Sequence, residues 1–218
     1  MSTDGCQESP EKEAGVLRPV LSAGAGLCLF VWLAILATQS QKSQFDLLIR
    51  AWVHHFSTPS LTAFFIVMSY IGSWFVLLSL SVLISIILID RDRGSEVRIL
   101  NITLYGSIAL SAALKLIFQL SRPEPYFGLA TSDTHSFPSA HAVVSFCFFS
   151  LIAGVICRRV PSQRLHFFVW GFAVFLIALV GISRIYLGMQ YPTSVLAGYA
   201  VAIAWMESAK FAAARFPS

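Results

Sequence analysis

Lys115 and Arg122 have the spacing of two side chains that share one face of a helix. They are seven residues apart, about two helical turns, so both cations project from the end of an apolar segment into the same space. Pro123 follows immediately and predicts that the helix ends there. For either residue alone, anchoring a membrane helix at the interface is the commoner role.

The segment Ser136-Phe137-Pro138-Ser139-Ala140-His141 directly precedes an apolar run. Proline is favoured at the first position of a helix, so Pro138 predicts that the backbone N–H groups of Ser139, Ala140 and His141 lie at a positive helix N-terminus that can bind an anion. The Ser139 hydroxyl adds a donor, and His141 can exchange a proton near neutral pH. An ordinary capped helix with an incidental histidine is the alternative.

A third cluster, Ser183-Arg184, lies six residues before Gln190 and shortly before Tyr191-Pro192. We expect Arg184 to end one apolar segment and Pro192 to begin the next. Arginine suits phosphate oxygens because its planar guanidinium donates in pairs, whereas lysine acts as a point charge. Three cations, a helix N-terminus and a histidine together predict a site for a phosphate monoester.

The elements that position these residues are apolar segments long enough to span a membrane. The 218 residues are 56% hydrophobic and only 12% charged, about half the charged fraction of a soluble domain. A segment of about 20 apolar residues spans the hydrocarbon core as a helix. We therefore predict an all-α, polytopic bundle of six transmembrane helices, and hydropathy argues against a soluble helical core. The predicted spans are 17–38, 70–90, 97–120, 138–157, 164–183 and 192–211.

The remaining segments are short. Residues 1–16 are polar and are predicted to form a disordered cytoplasmic tail, and 17–218 a single membrane domain. Phe45 to Phe56 is amphipathic and is predicted to lie at the interface or to pack on the bundle as a loop. Leu61 to Ile71 precedes Gly72-Ser73, which predicts either a half-buried helix or a kinked second span.

The distribution of Lys and Arg predicts the orientation. Six spans place both termini on one side, with ten basic residues, and leave five on the other. The side richer in Lys and Arg is the cytoplasmic one, so both termini are predicted inside and the phosphate site outside.

No cofactor is indicated. The four cysteines lack metal-ligand spacing, and nothing in the sequence indicates haem, flavin, nucleotide or structural metal. The net charge of +4 follows from topology and needs no nucleic-acid partner. The predicted partners are membrane lipids with phosphorylated headgroups, and the oligomeric state stays open.

The three motifs, in this order and spacing, resemble the signature of the type 2 phosphatidic acid phosphatase and vanadium haloperoxidase superfamily, in its membrane lipid phosphatase branch. The resemblance covers about residues 60–210. It implies a metal-independent phosphatase acting on lipid phosphates or pyrophosphates at the non-cytoplasmic face. It also implies that four residues and the backbone at Ala140 bind the phosphoryl group, and that His141 protonates the leaving alkoxide as general acid. The four are Lys115, Arg122, Ser139 and Arg184.

The third motif departs from that signature. Gln190 stands where the family has its nucleophilic histidine, and Ser194 stands where it has the aspartate that orients the histidine. A carboxamide is a very poor nucleophile, and nucleophilic catalysis needs an activated group within reach of phosphorus. Ala140 replaces the usual glycine, which is a milder change.

Two functions therefore stay open. The chain is either a lipid-phosphate hydrolase with a displaced nucleophile, or a catalytically inactive member that binds, helps to translocate or partners a lipid phosphate. His54, His55 and His135, or a water activated by His141, are the candidate replacements for the nucleophile. The short loops fit a protein of the bacterial inner membrane, with the site facing the periplasm or exterior, but a protein of an internal eukaryotic membrane would need the same features.

Overall fold

The computed structural model describes residues 10–39, 43–129 and 134–215, and it is helical almost throughout. The described part of the chain contains eight α-helices and a single isolated β-bridge, between Ser121 and His135. The helices are α1 (Pro10–Gln39), α2 (Gln44–His55), α3 (Pro59–Ile71), α4 (Trp74–Ile89), α5 (Gly94–Phe118), α6 (Ala140–Cys157), α7 (Gln163–Tyr186) and α8 (Pro192–Arg215). The all-α prediction is confirmed.

Four helices, α1 from Pro19 onward, α5, α6 and α7, are long and apolar enough to cross a membrane. Helices α3 and α4 pass the same test only together, with a bend of 52° between them, and make a fifth span if they count as one. Helix α8 is long enough but too weakly apolar to be counted. The protein is an integral membrane protein with four to five candidate spans, and the predicted sixth span stays a prediction.

The bend between α3 and α4 has a local cause. Gly72 ends α3, and the Ser73 hydroxyl accepts a hydrogen bond from the Val76 N–H to cap α4. A side chain at Gly72 would lie 2.2 Å from a Val180 methyl group on α7, so α7 packs directly against the break. Helix α3 covers the segment Leu61 to Ile71 and forms with α4 a bent pair that is either one broken span or a re-entrant loop, so both predictions for this segment stay open.

Helix α6 occupies the centre of the bundle. It packs against α5, α7 and α8, and α1 lies along α8. Ala142, Val143 and Cys147 on α6 are fully buried, as are Leu77 on α4 and Leu104 on α5. Because α6 touches most of its neighbours, the position of its N-terminus is fixed relative to the other elements.

Most helix boundaries differ from those predicted by a few residues, and three of the differences concern the tail and the site. Helix α1 begins at Pro10, within the predicted disordered tail, and the rest of that tail, 1–9, lies outside the described residues. Helix α5 ends at Phe118 rather than at Pro123, because Gln119 adopts a left-handed conformation with φ of 48°. Helix α6 begins at Ala140 rather than at Pro138, because Ser139 is extended.

Candidate functional site

A cavity of about 650 Å³ lies where the ends of α5, α6 and α7 meet, in the size range of small-molecule sites. Its wall includes five of the eight predicted site residues: Lys115, Arg122, Ala140, His141 and Arg184. All three cations act electrostatically on the His141 imidazole. The three motifs, far apart in the sequence, therefore meet around one space.

The first motif reaches the cavity from a helix end and a loop. Lys115 lies in the last turn of α5. Arg122 lies in the segment after α5, although the two cations were predicted to share one helix. The Arg122 Nε donates a hydrogen bond to the His135 carbonyl at 3.3 Å. The Ser136 N–H donates to the Leu120 carbonyl at 2.9 Å. These bonds join the first motif to the start of the second, so both cations still face His141.

The second motif presents the N-terminus of α6. Ala140 and His141 are its first two residues, and both line the cavity. The Ser139 N–H does not take part as predicted, because it donates to the Ser194 carbonyl at 3.0 Å. Glycine at 198 allows this close approach, since a Cβ there would lie 2.8 Å from the Ser139 carbonyl oxygen. The N–H groups of α6 that face the cavity therefore begin at Ala140, one residue later than predicted.

The third motif places Arg184 in the last turn of α7. The side chain is only 6% exposed, and its NH1 donates to the Ser69 hydroxyl of α3 at 2.7 Å. The chain then folds back, so that the N–H groups of Met189 and Gln190 both donate to the Arg184 carbonyl, at 3.0 and 3.1 Å. These two hydrogen bonds to the Arg184 carbonyl hold the following loop against the end of α7.

Three of the predicted site residues lie behind the cavity wall. Ser139, Gln190 and Ser194 are each at most 2% exposed and do not line the cavity. Among the described residues, the Ser139 Oγ and the Gln190 Oε1 are buried polar atoms without a hydrogen-bond partner. Such atoms are uncommon in folded proteins.

Two charged residues of α2, neither predicted as part of the site, hold the third motif in place. The Asp46 carboxylate accepts the Thr193 N–H at 2.9 Å and the Thr193 hydroxyl at 2.8 Å, and thereby caps the N-terminus of α8. One turn along, the Arg50 guanidinium donates to the carbonyls of Gly188 and Glu124, at 3.2 and 3.0 Å. Helix α2 thus links the third motif to the loop that follows the first.

That link requires a glycine. The Tyr126 N–H donates to the Leu187 carbonyl at 2.9 Å, which brings Tyr126 against the backbone of Gly188. A Cβ at Gly188 would lie 2.7 Å from the Tyr126 nitrogen, and its φ of 73° is one that side chains rarely adopt. The only signal of this link in the sequence is the i, i+4 spacing of Asp46 and Arg50, which is also common on solvated faces.

Of the histidines proposed as replacement nucleophiles, His135 lines the cavity. His54 does not, since its ring stacks on Tyr126 with 4.0 Å between centroids. His55 is also absent from the cavity wall.

The comparison with known protein families decides the assignment. The sequence model of the PAP2 superfamily matches residues 96–211, which contain all three motifs. This chain belongs to the PAP2 superfamily.

One curated relative and two solved structures are similar to this chain over different shares of its length. Phosphatidylglycerophosphatase B of Bacillus subtilis is 33% identical over 95 residues, 43% of this chain and 46% of that protein, so the match spans less than half of the relative. The crystal structure of a transmembrane PAP2-type phosphatidylglycerolphosphate phosphatase from Bacillus subtilis has a TM-score of 0.80 at 23% identity, over 90% of this chain and 98% of that one. LpxE of Aquifex aeolicus has a TM-score of 0.56 at 22% identity, over 78% and 95%. The two structures show the fold of this PAP2 protein, which it shares with the transmembrane phosphatase of Bacillus subtilis over nearly the whole length of both chains.

Proposed function

We propose that this PAP2 protein binds the phosphate group of a lipid phosphate or pyrophosphate in the cavity between α5, α6 and α7. The observation that carries the proposal is the meeting of three cations and a helix N-terminus at one cavity: Lys115, Arg122 and Arg184 with Ala140 and His141. Guanidinium groups and helix N-termini each favour phosphate oxygens. An apolar wall that includes Ile108, Leu116 and Val144 suits the lipid portion.

The site residues take the following roles. Lys115, Arg122 and Arg184 neutralise the phosphoryl oxygens, and the N–H groups of Ala140 and His141 donate to them. Ser139 supports this end of α6 from behind, with its N–H on Ser194. The excess of Lys and Arg predicts that the termini are cytoplasmic. In this proposal the bilayer presents the substrate to the opposite face. Six spans, a bacterial inner membrane and a site facing the periplasm complete the proposed topology, with 17–218 as one membrane domain.

Hydrolysis of the bound lipid phosphate is the second candidate function, and two observations favour it. His141 and His135 both line the cavity, so a proton donor and a nitrogen nucleophile are present without a histidine at position 190. In this reaction the His135 nitrogen attacks phosphorus while the P–O bond to the lipid breaks and His141 gives its proton to the leaving alkoxide. Water then attacks the phosphohistidine, His141 takes the water proton, and inorganic phosphate leaves.

Binding and phosphate release are measured on purified protein in detergent, with phosphatidate and a polyprenyl diphosphate. Arg184→Gln is expected to weaken binding by about 10- to 100-fold, because a charged hydrogen-bond partner of the phosphate is lost. Arg164→Gln is the matched control, since Arg164 is exposed at the start of α7 and lines no part of the cavity. Equal binding by all three proteins would contradict the proposed site.

The variants His135→Ala and His141→Ala then separate the two functions. Phosphate release by the natural protein that is lost in both variants establishes hydrolysis. Binding without release in the natural protein establishes a binding protein whose nucleophile is gone, and turnover should then be restored by Gln190→His with Ser194→Asp.

Restoring turnover calls for a third substitution, at Asp46, beside those at Gln190 and Ser194. Ser194 and Asp46 line the same small void of about 10 Å³, so Ser194→Asp alone would place two carboxylates side by side in a buried space. Asp46→Asn, made together with the other two changes, removes that repulsion and keeps an oxygen that can accept the Thr193 N–H. The triple change is therefore expected to show more turnover than the double change.

A further inference from the structure

A second cavity, of about 440 Å³, lies at the opposite ends of the helices that form the candidate site. It is enclosed by the first turns of α5, the last turns of α6 and α8, and Trp170 of α7. The residues that line it include Glu96, Ile99, Leu151, Gly154, Arg158 and Lys210. None of them lines the first cavity.

The two cavities are separated by nearly the thickness of a bilayer. On α5, Ile99 and Lys115 are 16 positions apart, which is about 24 Å along a helix, and on α6 His141 and Arg158 are about 26 Å apart. The hydrocarbon core is about 30 Å thick. The second cavity therefore faces the leaflet opposite the one that the first cavity faces.

The charges at the second cavity favour an anion. Glu96 is already paired with Arg159 and with Arg93. Within the described parts of the chain, the exposed Arg158 guanidinium makes no hydrogen bond or ion pair, and Lys210 pairs with Glu207 at its own helix end. A cation at a helix C-terminus also stabilises that helix, but this role needs no cavity beside it.

The walls of the second cavity favour an aliphatic chain. Leu100 and Leu151 are buried, Val155 and Ile99 are half-buried, and all four side chains are apolar. At the mouth, Trp170 is 41% exposed, and tryptophan is typical of the level of the lipid headgroups. The lining thus combines an apolar interior with a cationic rim.

We propose that the second cavity binds an anionic phospholipid of the leaflet opposite the candidate phosphate site. The lipid phosphate lies between Arg158 and Lys210, and one acyl chain lies against Ile99, Leu151 and Val155. This binding site goes beyond the proposed function and does not rest on it, because none of its residues takes part in binding or hydrolysis at the first cavity.

Filling the cavity tests the acyl-chain part of the proposal. A Cβ at Gly154 meets no atom within 4 Å, so Gly154→Leu places a side chain into the cavity without a clash. Gly171→Leu is the matched control, because Gly171 is equally open on α7 but exposed and outside the cavity. Retention of dioleoyl-phosphatidylglycerol by detergent-purified protein is measured by native mass spectrometry over a lipid titration. Retention should fall in Gly154→Leu and stay unchanged in Gly171→Leu.

Removing the cations tests the headgroup part. Arg158→Gln and Lys210→Gln are each expected to weaken retention about fivefold, whereas Arg164→Gln, on the same side of the protein, should leave it unchanged. Dioleoyl-phosphatidylcholine, of the same chain length without net charge, should bind more weakly than phosphatidylglycerol. Arg184→Gln at the first cavity should keep this binding.

Retention of phosphatidylglycerol that is equal in Gly154→Leu and the natural protein would overturn the proposal. So would equal retention of the two lipids, or a loss in Arg184→Gln as large as that in Arg158→Gln.

Discussion

Asp46 is a buried carboxylate whose ionisation is favoured by the hydrogen bonds that it accepts and opposed by its burial. Burial raises the pKa of Asp46 above its ordinary value of 3.8, although the Thr193 bonds and the Arg50 charge lower it. A carboxyl whose pKa is raised on folding stabilises the fold below its ordinary pKa, and this contribution is lost as the pH rises through the raised value. At neutral pH, a neutral acceptor at this position is therefore favoured.

Asp46→Asn is expected to melt at the same temperature as the natural protein or higher at pH 7, because the amide oxygen still accepts the Thr193 N–H without a buried charge. This advantage should shrink as the pH falls through the raised pKa of Asp46, because the natural carboxyl then becomes protonated as well. The measurement is the melting temperature in detergent across that range.

Asp46→Ala is the contrast. It leaves the buried Thr193 N–H without an acceptor and should cost about 1–3 kcal/mol of stability at every pH. If Asp46→Asn and Asp46→Ala lowered the melting temperature equally, the capping role of the Asp46 oxygen would be wrong.

The residues that could be predicted from the sequence are those whose role depends on spacing. Lys115, Arg122, His141 and Arg184 were found from their positions at the ends of apolar segments, and all four line one cavity. Asp46 was missed, because a carboxylate on an amphipathic segment reads as solvated. Its partner lies 147 residues away in the sequence, and no local pattern indicates that contact.

At the scale of elements, α2 buries its polar face and exposes its apolar face, which is the reverse of an amphipathic helix in a soluble protein. Its polar face is buried, with Asp46 and Arg50 at 3% and 7% exposure. Its apolar face is open, and the side chains of Phe45, Leu48, Trp52 and Phe56 are more than half or about half exposed. The predicted interfacial position is consistent with this arrangement, since lipid covers the apolar face and protein the charged one.

Helix ends were harder to predict than helix interiors. Apolar length gave α5, α6 and α7 correctly, because a membrane requires long apolar segments. The prediction that α5 ends at Pro123 was wrong, because the helix ends at the left-handed conformation of Gln119, which the sequence does not specify. The start of α6 depends on a hydrogen bond between Ser139 and Ser194, again a contact between distant segments.

The contact of α1 with α8 gives a prediction at this scale. A Cβ at Gly26 would lie 2.9 Å from the Ala200 carbonyl oxygen on α8, whereas one at Gly24 meets nothing within 4 Å. Gly26→Val should cost about 1–3 kcal/mol, because backbone cannot move aside as a side chain can. Gly24→Val, with the same change in helix propensity, is the control, and thermal unfolding in detergent is the measurement. Equal melting temperatures of the two variants would show that α1 and α8 do not pack this closely.

At the scale of the whole molecule, the two cavities give the bundle a polarity across the membrane. One lies among Lys115, Arg122 and Arg184, and the other lies beside Arg158 and Lys210. The excess of Lys and Arg on the second side predicts that it is cytoplasmic.

Labelling with a membrane-impermeant maleimide tests that orientation. In a chain whose four cysteines are replaced by alanine, Ser162→Cys lies between α6 and α7, and Glu124→Cys lies beyond α5, both at exposed positions. In intact cells Glu124→Cys should react and Ser162→Cys should react only after the membrane is opened. The reverse pattern would place the phosphate site in the cytoplasm.

The link between α2 and α8 also sets an order of assembly. Asp46 is made 147 residues before Thr193, a delay of about 7–30 s at usual rates of synthesis. Until α8 arrives, the charged face of α2 lacks the Thr193 partner, and it stays in water or among lipid headgroups while the later helices insert. The contact of α2 with α8 therefore cannot form before the last helix is made, and a chain that stops before Pro192 leaves the Asp46 carboxylate without its Thr193 partner.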